Sequence, residues 1–214
     1  MKIEVWSDVA CPWCWVGKKH LEKALADFDT ETEVTWRAFE LNPQAPATSS
    51  EPVDYAARLA AKYRMDRRDA QAFIDRMTEA GRQAGIVFRF DRIRPCNTFK
   101  AHQLLAWADS LGHQDALKER LFLAYMNEGH DLNNTTTLGA LAAEAGLDTD
   151  QAVAVLANGD YADHVRADQG RARELGITGV PFFVLGPGIA ASGAQPPDVL
   201  LRALSRARDL QSAD

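Results

Sequence analysis

Ile3-Glu4-Val5-Trp6-Ser7-Asp8-Val9-Ala10-Cys11-Pro12-Trp13-Cys14 is the stretch from which the fold can be read. Ile3 and Val5 alternate with Lys2 and Glu4, the period of a half-buried strand. Ser7 to Ala10 make a short connection, and a helix begins at Cys11 or Pro12. Pro12 suits the first helical position, where a missing N–H costs nothing and the fixed φ is already helical. Val16, Leu21, Leu25 and Phe28 follow near helical spacing, with Lys18, Lys19, Glu22 and Lys23 expected to face outward. Glu33 to Phe39 alternates again. Two strands around one helix predict a parallel βαβ unit with a right-handed crossover.

The position of the two cysteines carries chemistry. The first backbone N–H groups of a helix lack partners and carry partial positive charge, so a thiolate at Cys11 is favoured there. That also makes Cys11 a better leaving group and its disulfide more oxidising. Cys14, one turn further in, is near enough to close a disulfide with it. The expected roles are Cys11 as the attacking, more exposed thiolate and Cys14 as the buried thiol that resolves a mixed disulfide. Pro12 removes a backbone donor from the thiolate, and Trp13 adds apolar surface beside it, so both are expected to tune the site.

A metal site would need about two further Cys or His ligands. Cys96 stands alone, with His102 six residues on, and His113, His130 and His164 show no metal spacing. No metal and no cofactor beyond the cysteine pair is expected. Three cysteines in 214 residues are not a secreted disulfide framework either.

Gln44 to Pro52, rich in Pro, Ser and Thr, reads as a loop. Helical patterns then follow near 53–63, 67–84, 98–111, 113–128, 135–145, 149–157 and 161–175, with Leu132 to Thr135 leading into a cap. Strand character returns at Phe182 to Leu185, a turn at Gly186-Pro187-Gly188, a hairpin partner at Ile189 to Ala191, and a last helix from Pro196-Pro197. The order βαβ, helical block, ββα predicts an α/β thioredoxin-like fold with a large all-helical domain inserted after the second strand. Residues 1–50 and 176–214 would form the thioredoxin-like domain, 51–160 the insertion, with the helix near 161–175 bridging them. In such a fold Val180–Pro181, just before the buried strand, would lie against the cysteines as a cis proline. The Val180 backbone could then pair with an extended substrate.

A net charge of −6 argues against a nucleic-acid or anionic-membrane partner. No apolar window is long enough to span a bilayer, and residues 1–6 do not resemble a secretory signal, so a cytoplasmic protein is expected.

Together, Ser7 to Cys14, Phe39-Glu40-Leu41-Asn42-Pro43, Asn97-Thr98 with Ala101-His102, Gly176 to Phe183, and Ser192 to Gln195 resemble the DsbA family of oxidoreductases, and within it the FrnE-like branch. The resemblance implies Cys11 as nucleophile, Cys14 as resolving thiol, Val180–Pro181 as the substrate contact, and a helical insertion partly roofing the site. It implies protein disulfides or dithiols, or glutathione, as exchange partners, with glutathione as a possible electron donor. Cys96 matches no landmark and is expected to be a small buried hydrophobe. His20 and Lys18 or Lys19 are expected to be solvated, and Asp8 to serve the loop rather than carry a proton for Cys14. The competing readings are a glutathione-dependent isomerase or kappa-type transferase, which shares the topology but uses a serine, and a chaperone in which the cysteines are incidental.

Overall fold

The computed structural model describes residues 1–45 and 51–212. The loop expected over Gln44–Pro52 therefore falls largely outside the described residues. β1 (Lys2–Ser7), α1 (Pro12–Ala26) and β2 (Glu33–Ala38) form the βαβ unit, with β1 and β2 parallel from Lys2↔Glu33 to Ser7↔Ala38. Seven helices follow: α2 (Tyr55–Tyr63), α3 (Arg67–Gln83), α4 (Phe99–Asp109), α5 (Gln114–Leu123), α6 (Thr135–Glu144), α7 (Thr149–Asn158) and α8 (Ala162–Glu174). The chain closes with β3 (Phe182–Val184), β4 (Ala190–Ser192) and α9 (Pro197–Gln211). The sheet order is β2-β1-β3-β4, with β3 antiparallel to both neighbours. This is a thioredoxin-like fold with the helical block inserted after the second strand.

Alternation along β1 sorts its side chains between two layers. Ile3 and Val5 pack with Leu21, Phe28, Phe183, Leu200 and Leu204 beneath α1 and α9. Trp6 points the other way, against Ala172 and Ile177, and its indole N–H donates to the Asp168 carbonyl at 3.1 Å. Edge strands expose unpaired backbone groups, and the insertion covers β2's outer edge with side chains. Gln114 accepts from the Trp36 N–H (2.8 Å) and donates to the Trp36 carbonyl (3.0 Å), while Asp168 accepts from the Ala38 N–H (2.9 Å).

Helix starts follow local chemistry. Asp54, Asp66, Asn134 and Asp148 each cap a helix by accepting a backbone N–H from the third residue onward. Two local features depart from the sequence expectation. Phe90–Arg92 is a 3₁₀ turn, too short to leave a periodic signature. The helix expected over 113–128 widens into a π turn at Ala124–Glu128. There the Met126 carbonyl accepts the Arg89 N–H (3.0 Å), drawing the last turn toward the neighbouring segment. Gly129 ends it at φ 72°, where a Cβ would stand 2.3 Å from the Arg92 carbonyl oxygen.

Gly17 lies in the middle of α1, where glycine ordinarily weakens a helix by about 1 kcal/mol relative to alanine. Here a Cβ would lie 2.9 Å from Pro181 Cγ and 3.2 Å from Phe183 Cζ. Gly17→Ala is therefore expected to destabilise the fold by about 1–3 kcal/mol. The check is the urea midpoint at unchanged slope; a raised midpoint would show that α1 is not pressed against Pro181.

Candidate active site

β1 delivers the chain into a tight turn. Cys11 N–H donates to the Asp8 carbonyl (3.1 Å), and Cys14 N–H to the Cys11 carbonyl (3.0 Å). Cys11 is the extended N-cap of α1, with Pro12 directly after it, and its side chain caps no helix N–H. Cys11 Sγ lies 3.6 Å from the Val180 carbonyl oxygen, which accepts its S–H. The Val180–Pro181 bond is cis, and the Pro181 carbonyl accepts the Gly193 N–H at 2.8 Å. The turn, the start of α1 and the segment before β3 thus meet at one sulfur.

Cys14 is fully buried. Burial pushes its thiol well above the ordinary cysteine range, and the hydrogen bond with Cys11 and the charge there push the same way. Opposing them are the Asp8 backbone and the Lys118 ammonium, which both favour the thiolate. Cys11 is itself only 5% exposed, against 0% for Cys14, so the expected contrast in exposure is small. The cause is the cleft wall over Cys11, where α2 supplies Tyr55 and Leu59 and α3 supplies Phe73 and Met77. Trp13, half-buried, closes the same wall with its ring 6.5 Å from Phe73.

That cleft holds about 100 Å³ and also carries Arg58, Lys62, Cys96 and Tyr125. Cys96 is a free, buried thiol pushed up to about 12, chiefly by burial. Among the described residues no cluster of three or more Cys, His, Asp or Glu side chains could hold a metal ion.

Asp8 serves the loop. Its carboxylate accepts the Ala10 N–H (3.2 Å) and the Leu41 N–H (2.8 Å). His102 Nε2 lies 3.4 Å from the same group, too poorly aligned to be a hydrogen bond. Burial opposes this charge most strongly, yet His102, Leu41 and Ala10 together hold the carboxyl below the usual aspartate range. Two other landmarks meet nearby. Asn97 donates to Glu40 (3.2 Å) and to the Pro43 carbonyl (3.2 Å), and accepts the Phe99 N–H (2.9 Å).

Two expectations on α1 are corrected. Lys18 does not face solvent: it is 1% exposed, bonded to Glu22 and Asp115, with Glu119 at 3.4 Å. The acidic face of α5 covers that side of α1, so burial of the ammonium is matched by carboxylates. His20 is tied by Nδ1 to the Gln195 carbonyl at 2.9 Å rather than free in water. Sequence reasoning also missed Arg58, Lys62 and Lys118. The one signal for Lys118 was its place on the apolar stripe Leu117, Lys118, Leu121, Phe122.

The family model for the DSBA-like thioredoxin domain matches residues 2–205. The chain belongs to that DsbA-like oxidoreductase family. It is 31% identical to protein YwbO of Bacillus subtilis, over 95% of each chain. It is 42% identical to a probable DsbA oxidoreductase from Streptomyces coelicolor, with a TM-score of 0.90 over 98% of this chain and 90% of that one. The cytosolic disulfide reductase DsbM from Pseudomonas aeruginosa, also solved with GSH, shares the fold at 16% identity, with a TM-score of 0.62 over 100% of this chain and 98% of its own.

The Asp8 carboxylate contributes stability that is present above its unfolded pKa and is lost as pH falls through its lower folded value. Asp8→Asn should cost about 1–3 kcal/mol at pH 7, because one amide hydrogen would face a backbone N–H. The gap from the native chain should narrow below about pH 4. Denaturant unfolding of both proteins from pH 3 to 8 reads it, and a gap independent of pH would remove the carboxylate's charge from the account.

Proposed function

We propose that this chain exchanges disulfides through Cys11 and Cys14. The observation that carries the reading is the placement of Cys11 and Cys14 one turn apart at the start of α1, with Cys11 3.6 Å from the Val180 carbonyl. The Cys11 thiolate attacks a substrate disulfide, forming a mixed disulfide and releasing one substrate thiolate, which takes up a proton. Cys14 then attacks Cys11 Sγ. The Cys11–substrate bond breaks, the Cys11–Cys14 disulfide forms, and the second substrate sulfur leaves with its electron pair. Run backwards, the same steps oxidise a substrate dithiol. Which direction prevails is set by the potential of the pair against its partner.

Pro12 and Trp13 tune the pair, and Val180 and Pro181 form the substrate edge. The exchange partner is an extended protein segment or a small thiol such as glutathione. Arg58 and Lys62 beside the cleft suit a substrate bearing carboxylates. The landmark residues support the FrnE-like branch, and the reducing compartment that branch implies is the cytoplasm. No helix among the described residues is long and apolar enough to cross a membrane.

The glutathione-dependent isomerase reading is less well supported. Sites that engulf a small organic substrate have volumes of about 300–1,000 Å³. A cleft of about 100 Å³ admits one side chain or one sulfur arm. A cysteine also stands where that class uses serine.

Titration of the protein against glutathione redox buffers should give one reversible two-electron transition, with only Cys11 and Cys14 protected from alkylation in the oxidised form. Absence of that transition would end the proposal. With a disulfide substrate, Cys14→Ser is expected to accumulate a mixed disulfide on Cys11, visible by intact mass. Cys11→Ser should accumulate none, and turnover by either variant should fall to background.

A further inference from the structure

The insertion places a charge behind the redox pair. Lys118 is fully buried on α5, and its ammonium has no hydrogen-bond partner among the described residues. It lies 5.6 Å from the Trp36 ring and 5.3 Å from the Phe122 ring. Lys18, equally buried, is matched by three carboxylates, and among the described residues Lys118 has none within 4 Å. A buried ammonium without a partner is costly and persists where a negative charge forms beside it.

The register of α1 on α5 indicates which charge that is. Trp15 stacks on Phe122 (5.8 Å, 4°) and donates to Glu119 (3.0 Å), while Lys18 bonds Asp115 (2.9 Å). Cys14 precedes Trp15 by one residue and Lys18 by one turn, and Lys118 lies between Asp115 and Phe122. Lys18, one turn after Cys14, and Lys118 both lie over the Trp36 ring, at 6.0 and 5.6 Å, so Lys118 is on the side of α5 that covers the Cys14 face of α1. Both Cys14 and Lys118 are fully buried, and each favours the charged form of the other.

We propose that Lys118 is a positioning residue for the Cys14 thiolate, a counter-charge supplied by the insertion when Cys14 resolves a mixed disulfide. This rests on the redox reading above. In the mixed disulfide Cys11 is bonded to the substrate, so its thiol and charge no longer oppose ionisation of Cys14. Burial still does, and Lys118 and the Asp8 backbone offset it. Cys14 gives up its proton and its thiolate attacks Cys11 Sγ. The substrate sulfur leaves with the electron pair and takes up a proton. The groups facing Lys118 are Cys11, Cys14 and Lys18 from α1 and Asp8 from the turn. From α4, His102 faces Asp8, and Asp115 and Glu119 on α5 are engaged by Lys18. Burial brings the ammonium down to about 8, so it is still charged at pH 7.

The probe is 5,5′-dithiobis(2-nitrobenzoate), whose thiolate release by the reduced protein should occur in two equal phases. The first reports attack by Cys11 and the second resolution by Cys14. In Lys118→Met and Lys118→Gln the first phase should slow by less than the second, because the ammonium also faces Cys11 but Cys14 is the more strongly coupled sulfur. The second should slow about tenfold at pH 7, the effect of one pKa unit on the thiolate fraction, with its pH midpoint moved alkaline. An unchanged second phase, or one slowed with no alkaline shift, would overturn the proposal. So would failure of both variants to fold, which would make the ammonium a structural group. Absence of a first phase in the native protein would instead sink the redox reading itself.

Discussion

Asp8 sits where water does not reach, and its carboxylate and backbone reach four segments. The carboxylate receives N–H groups from its own turn and from the chain after β2, and it lies against His102 of α4. Its backbone favours the thiolate form of Cys14. An uncompensated charge there would be prohibitive, so the turn before α1, the exit from β2 and the start of α4 must all be seated together. The position of the cysteines follows from that requirement as much as from the sheet.

The insertion is also structural. Gln114 and Asp168 close the open edge of β2, and Trp36 lies against α5 through its backbone and through its indole N–H, which donates to Asp115 at 3.1 Å. The hydrophobic cluster that contains Val9, Cys11, Cys14, Trp15 and Val16 is built mostly from inserted helices. On the opposite side, Gly17 lets α1 approach Pro181 closely. The redox turn is thus held between a helical bundle and a proline, with little room on either side.

Much of this was legible in the amino acids. Period-two alternation at 2–5 and 33–39, helical spacing through the insertion, and the Cys-Pro-Trp-Cys turn specify the fold because each is a local signal that tertiary packing reinforces. The burial of Cys11 was not legible, because its roof comes from residues near 55–77, and nothing in either segment states that they meet. Lys18 and Lys118 were misjudged or missed for a related reason. A lysine on a helix is ordinarily solvated, and only groups brought by a facing helix, such as Asp115 and Glu119 against Lys18, explain its burial. The long-range pairing of charges is where sequence periodicity stops being informative.

The sheet is assembled from the two ends of the chain. Val5 pairs with Phe183, and Trp6 with Phe182, across nearly its whole length. On a ribosome adding about 5–20 residues per second, β1 emerges roughly ten to forty seconds before its antiparallel neighbour. Throughout that interval the two thiols exist without the Val180 carbonyl and without α9 beneath α1. The nascent chain is therefore itself an unshielded dithiol in the cell's thiol pool, and the late strand that completes the sheet also closes that window of exposure.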